Sequence, residues 1–101
     1  MVVIEGVLRE ELQRLQDMEK AYEEKIASLP KGSLQQRLIS GRQYVYLKFR
    51  DTAGKVVQKY VGSMESAQAK MIRLQIEMRK KHEVSLREIQ AEIKLIGKVI
   101  K

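Results

Sequence analysis

Few residues in this chain could do chemistry, and their spacing argues against most of it. His82 is the only histidine and there is no cysteine, so neither thiolates nor a second imidazole can complete a metal site. Glu10-Glu11 and Glu23-Glu24 are adjacent carboxylates, but neighbouring positions on a helix do not face each other. Gly54-Lys55 has no glycine before it at phosphate-loop spacing and no Ser or Thr after it. One histidine with Asp17 and Asp51 gives no convincing Ser-His-Asp set. The expectation is a protein without enzymatic activity, cofactor or metal.

What the sequence offers instead is a binding surface. Tyr44, Tyr46, Lys48 and Arg50 alternate with Val45, Leu47 and Phe49, the period-2 pattern of a strand with one apolar and one polar face. Gln58 and Tyr60 should stand beside them on a following strand, and Arg37 with Gln35 on a preceding one. Arginine and lysine neutralise phosphates, and tyrosine can stack on bases or donate to phosphate oxygens. A sheet face can also enter the major groove, where Arg and Gln reach base edges. The competing reading is that the tyrosines cover a half-buried face and the charges keep an edge soluble.

The elements that position these residues follow from periodicity. Leu8, Leu12, Leu15, Tyr22, Ile26 and Leu29 recur at helical spacing, which predicts a helix from about Glu5 to Leu29. Pro30-Lys31-Gly32 stops it. Strands are expected over Ser33–Ile39, Gln43–Arg50 and Lys55–Val61. Ser40-Gly41 forms a tight turn, and Asp51-Thr52-Ala53-Gly54 a type I turn with Gly54 in the left-handed position. That turn pairs Asp51 with Lys55, Phe49 with Val57 and Val45 with Val61, and sets Lys59 on the apolar face opposite Leu47. An edge location with a snorkelling stem would accommodate it.

A last helix is expected from about Ser63 to Val99, with Gly62-Ser63 as its cap. Its apolar residues are Met64, Ala67, Met71, Leu74 and Met78, then Leu86, Ile89, Ile93, Ile96 and Ile100. Both runs alternate steps of three and four like a heptad seam, joined through His82. Such a helix spans roughly 55 Å, longer than a compact globule of this size is wide. Its far end, through Leu86, Ile89, Ile93, Ile96 and Ile100, is therefore expected to pack on another chain. Arg73, Lys80, Arg87, Lys94 and Lys101 recur every seven residues as a drifting basic stripe, read as a solvated outer face. The fold class is α+β: a long helix, a three-stranded antiparallel sheet and a second long helix, with the helices pairing as a coiled coil.

Charge and composition support a binding role. The chain has 101 residues, room for one domain, and a net charge of +7. Residues 31–62 hold seven basic side chains and a single acidic one, Asp51, so the expected sheet is the electropositive region. Without cysteine, a membrane-length apolar run or a secretory leader pattern, the protein is expected in the cytoplasm.

Tyr44-Val45-Tyr46-Leu47-Lys48-Phe49-Arg50, the turn from Asp51 to Lys55 and the following helix together resemble the arm-binding module of phage-type integrases, over roughly Ser33 to Lys80. The resemblance implies a three-stranded sheet that enters the DNA major groove, with Arg37, Arg42, Tyr44, Tyr46, Lys48 and Arg50 facing the groove. Two departures stand out: Val56-Val57 follow Gly54-Lys55 where those modules continue basic, and no recombinase domain follows. Leu29-Pro30-Lys31-Gly32-Ser33-Leu34 and Lys59-Tyr60-Val61-Gly62 also look like segments of small prokaryotic mobile-element proteins. The expected function is nucleic-acid binding, DNA before RNA, by a homo-oligomer. The alternative is a structural or adaptor protein that uses its helical seam on a protein partner.

Overall fold

A computed structural model of the chain describes the backbone of residues 2–100 and the side chains of residues 4–100. The order is helix α1 (Val2–Ser28), strands β1 (Ser33–Ile39), β2 (Arg42–Arg50) and β3 (Val56–Ser63), and helix α2 (Ala67–Val99). The strands form one antiparallel sheet in the order β1-β2-β3. The α+β class expected from the sequence is the one observed. The chain divides into two compact units, a helical one of residues 1–28 with 80–101 and a sheet unit of residues 29–79, so α2 contributes to both.

In the sheet unit the turns are set by local backbone chemistry. Ser40 and Gly41 both have positive φ, 51° and 79°, the geometry of a two-residue type I′ hairpin whose twist matches its strands. In the second hairpin Gly54 donates its N–H to the Asp51 carbonyl at 3.0 Å, and Asp51 N–H reaches the Lys55 carbonyl at 2.9 Å. The Asp51 carboxylate also accepts the amides of Ala53 and Lys55, both at 2.9 Å. Gly54, at φ 80°, takes the left-handed position that other residues adopt at a cost. Gly32 is constrained differently: a Cβ there would lie 2.3 Å from the Lys48 carbonyl oxygen, so the chain can enter β1 beside β2 only without a side chain.

The expected pairs Phe49–Val57 and Leu47–Lys59 are present, and Lys59 stays exposed on an edge strand. Beyond them the register departs from expectation. Tyr46 pairs with Tyr60 but Val45 with Gly62, so Val61 is the extra residue of a β-bulge and not the partner of Val45. The bulge lengthens β3 to Ser63, and the Met64 amide closes the ladder on the Gln43 carbonyl at 3.1 Å. Ser63 is thereby held in the strand and cannot cap the helix. Ser66 does so instead: its Oγ accepts the Ala69 amide at 3.1 Å and donates to the Ser63 carbonyl at 2.7 Å.

The core of the sheet unit is built from Val45 and Leu47 of β2 with Ala69 and Ile76 of α2, all buried, and Ile72 half-buried between them. This corrects the expected seam. Met71, Leu74 and Met78 are 56%, 53% and 41% exposed, because α2 carries a second apolar stripe, Ala69-Ile72-Ile76, on its opposite side. Ala69, wholly covered, and the β-branched Ile72 and Ile76 face the sheet, and the longer Met71, Leu74 and Met78 are left outward.

In the helical unit α1 uses the stripe expected of it. Leu15 is buried, while Leu8, Leu12, Tyr22 and Ile26 are half-buried. Ile89 of α2 is buried and Leu86, Ile93, Ile96 and Ile100 are half-buried. The Tyr22 ring meets His82 at 5.5 Å between centroids, and Glu92 acts electrostatically on Arg14, so the two helices run antiparallel. His82 is thus a seam residue packed on an aromatic ring. Arg79 Nη1 donates to the Leu29 carbonyl at 2.9 Å in the sheet unit, satisfying a carbonyl just past the end of α1.

Candidate nucleic-acid interface

The alternation of β2 sends Arg42, Tyr44, Tyr46, Lys48 and Arg50 to the face opposite buried Val45 and Leu47. Register then fixes their neighbours. Arg37 stands opposite Tyr44 and Gln35 opposite Tyr46 on one side, and Tyr60 opposite Tyr46 and Gln58 opposite Lys48 on the other. All eight residues singled out from sequence, Arg37, Arg42, Tyr44, Tyr46, Lys48, Arg50, Gln58 and Tyr60, therefore belong to one face. None is buried. No strand position on this face is acidic, so the charges its strands present are all positive.

The face is ordered by contacts among its own side chains. The Arg37 guanidinium lies 4.7 Å from the centroid of the Tyr46 ring, a cation–π arrangement that keeps the fork in place. Its Nη2 donates to Gln58 Oε1, and Gln58 Nε2 donates to Gln35 Oε1 at 3.4 Å, so the polar centre is linked across all three strands. Tyr60 packs on both other tyrosines, at 5.4 Å from Tyr46 and 6.2 Å from Tyr44. Arg50 Nη1 donates to the Gly54 carbonyl at 3.0 Å, which ties it to the second hairpin. Lys48 and Arg50 line a shallow groove with Ser33 and Val56.

Arg42 is set apart from this cluster. It lines a separate cleft with Gly41, Gln43, Ser63, Met64 and Glu65. In the sequence Glu65 falls just after the expected Gly62-Ser63 cap, at the start of the last helix. Its position beside Arg42 depends on the bulge, which nothing in the alternation of β3 announces.

The remaining basic stripe is dispersed. Arg73 is half-buried and Lys80, Arg87 and Lys94 are exposed, with Lys101 outside the described residues. Of Leu86, Ile89, Ile93, Ile96 and Ile100, expected to meet another chain, Ile89 is buried within the helical unit and the other four are half-buried there. Among the described residues no three His, Cys, Asp or Glu come together to hold a metal ion, and no helix is long and apolar enough to cross a membrane. No protein-family model, curated protein or solved structure matches this chain.

Proposed function

We propose that the chain is a non-enzymatic nucleic-acid-binding module, acting on DNA in preference to RNA, whose contact surface is the open face of the sheet. One observation carries the reading: four cations and three tyrosines share a solvent-facing sheet surface on which no strand position is acidic. Lys48 and Arg50 supply charge to the phosphates, and Arg37, braced on Tyr46, offers a planar fork suited to phosphate or a guanine edge. The tyrosines give flat apolar surface at little entropic cost. The likeness to integrase arm-binding modules agrees with this use of the face, and the lack of cysteine suits the cytoplasm.

The competing adaptor reading draws on the exposed apolar positions of α2. A salt series on duplex and single-stranded DNA and RNA separates the two. Phosphate contacts require the binding constant to fall linearly with salt on logarithmic axes, by about 0.9 per contact on duplex DNA. Absence of binding to any polynucleotide at low salt would favour the adaptor.

A further inference from the structure

The exposed stripe Ala67, Met71, Leu74 and Met78 lies wholly within the sheet unit, on the side of α2 away from Ala69 and Ile76. Its steps of four, three and four are those of a coiled-coil seam. We infer that this stripe is a self-association surface, on which α2 of a second copy packs antiparallel about a twofold axis.

The choice of a second copy rests on the residues flanking the stripe. With Met71 and Met78 at the a positions and Ala67 and Leu74 at d, the g positions are Lys70 and Glu77, and the e positions Gln68 and Gln75. In an antiparallel pair, a meets d across the axis, so Met71 faces Leu74 of the second copy and Ala67 faces Met78. Each layer is then used twice, as an isologous interface requires. The same register sets Lys70 opposite Glu77 and Glu77 opposite Lys70, with Gln68 opposite Gln75 on the other flank. Every flanking group finds a complement in its own sequence.

A parallel pair does worse. It would set Lys70 against Gln75 and Glu77 against His82, matching no opposite charges. Lys70 and Glu77 also cannot be partners within one helix, since seven residues separate them by about 10.5 Å along the axis. All four flanking side chains are exposed or half-buried, free to make these contacts. The inference is independent of the nucleic-acid reading, because the stripe and the basic face are on different sides of the sheet unit's core.

The test is sedimentation equilibrium of the full chain, without nucleic acid, from micromolar to several hundred micromolar. A monomer–dimer equilibrium is expected. Leu74→Glu puts a charge into two symmetry-related layers and should weaken the dimer by at least about a hundredfold, with circular dichroism unchanged because the position is exposed. Lys70→Glu alone and Glu77→Lys alone should each weaken it by about tenfold, and the two together should restore it. A monomer at every concentration overturns the inference. So does a dimer indifferent to Leu74→Glu, or a double reversal no tighter than the single ones.

Discussion

The sheet unit and the helical unit are nearly equal in length, but one is strongly basic and the other neutral. Residues 29–79 carry ten basic and three acidic side chains, whereas residues 1–28 and 80–101 together carry ten of each. The whole net charge of the chain therefore resides in the sheet unit. In the helical unit charges are balanced locally, as where Arg14 donates to Glu11 one turn before it. In the sheet unit none of the three acids stands on a strand of the open face: Asp51 holds its turn, and Glu65 and Glu77 lie beyond β3. An uncompensated field costs self-repulsion, and it attracts polyanions to the unit whose open face carries Arg37, Arg42, Lys48 and Arg50.

The largest expected effects break one unit and leave the other's chemistry intact. Val45→Asp buries an unpaired carboxylate at a fully covered position. It should unfold the sheet unit and abolish polyanion binding, seen as loss of the strand signal in circular dichroism. Leu15→Ala opens a cavity in the helical unit worth about 2–5 kcal/mol. It should lower the melting temperature, yet leave affinity for DNA unchanged at temperatures where the protein is folded. Loss of DNA binding in the Leu15 variant would show that the two units do not divide the work.

Next in size is Lys48→Glu with Arg50→Glu. It should remove measurable binding at 150 mM salt, and at lower salt reduce the slope of binding against salt by about 2. The matching reversal at Lys94 and Lys98, in the balanced unit, should leave that slope within experimental error. Arg37→Lys keeps the charge but loses the planar fork over Tyr46, so affinity should fall severalfold with the slope preserved. If the slope fell instead, Arg37 would be acting as a point charge and not as an oriented group.

The smallest effect belongs to Glu11. Its hydrogen bond with Arg14 holds the carboxyl below its ordinary value of 4.5. A lowered folded value means that the carboxylate's contribution is present above the unfolded value and is lost as pH falls through the folded one. Helicity followed from pH 6 to pH 2 should therefore differ slightly between the wild type and Glu11→Gln at the upper end, and converge at the acid end. Both groups are solvated, so the difference should also shrink with added salt.

The two hairpins were legible because their turn chemistry is local: Ser40-Gly41 and Asp51 to Gly54 each specify a backbone geometry that fixes register for the next few pairs. That is enough to place Arg37, Tyr46, Gln58 and Tyr60 on one face from the sequence alone. The bulge at Val61 was not legible, because Val61-Gly62-Ser63 extends a strand equally well with or without the extra residue. The helix start moved with it: Ser63 and Ser66 are both good caps, and the Gln43–Met64 hydrogen bond decides between them. The seam of α2 failed for a different reason. Periodicity finds apolar stripes, but it does not say which of two opposite stripes the sheet will take, and here it takes Ala69, Ile72 and Ile76.

The central claim is that polyanions meet the chain on the outer face of β1, β2 and β3. Titration of a short DNA duplex into isotopically labelled protein, followed by amide and side-chain NMR shifts, tests it most directly. The account predicts shifts concentrated at Arg37, Tyr44, Tyr46, Lys48, Arg50, Gln58 and Tyr60 that fade as salt is raised. Shifts confined to Lys80, Arg87 and Lys94, or none at all at low salt, would contradict it.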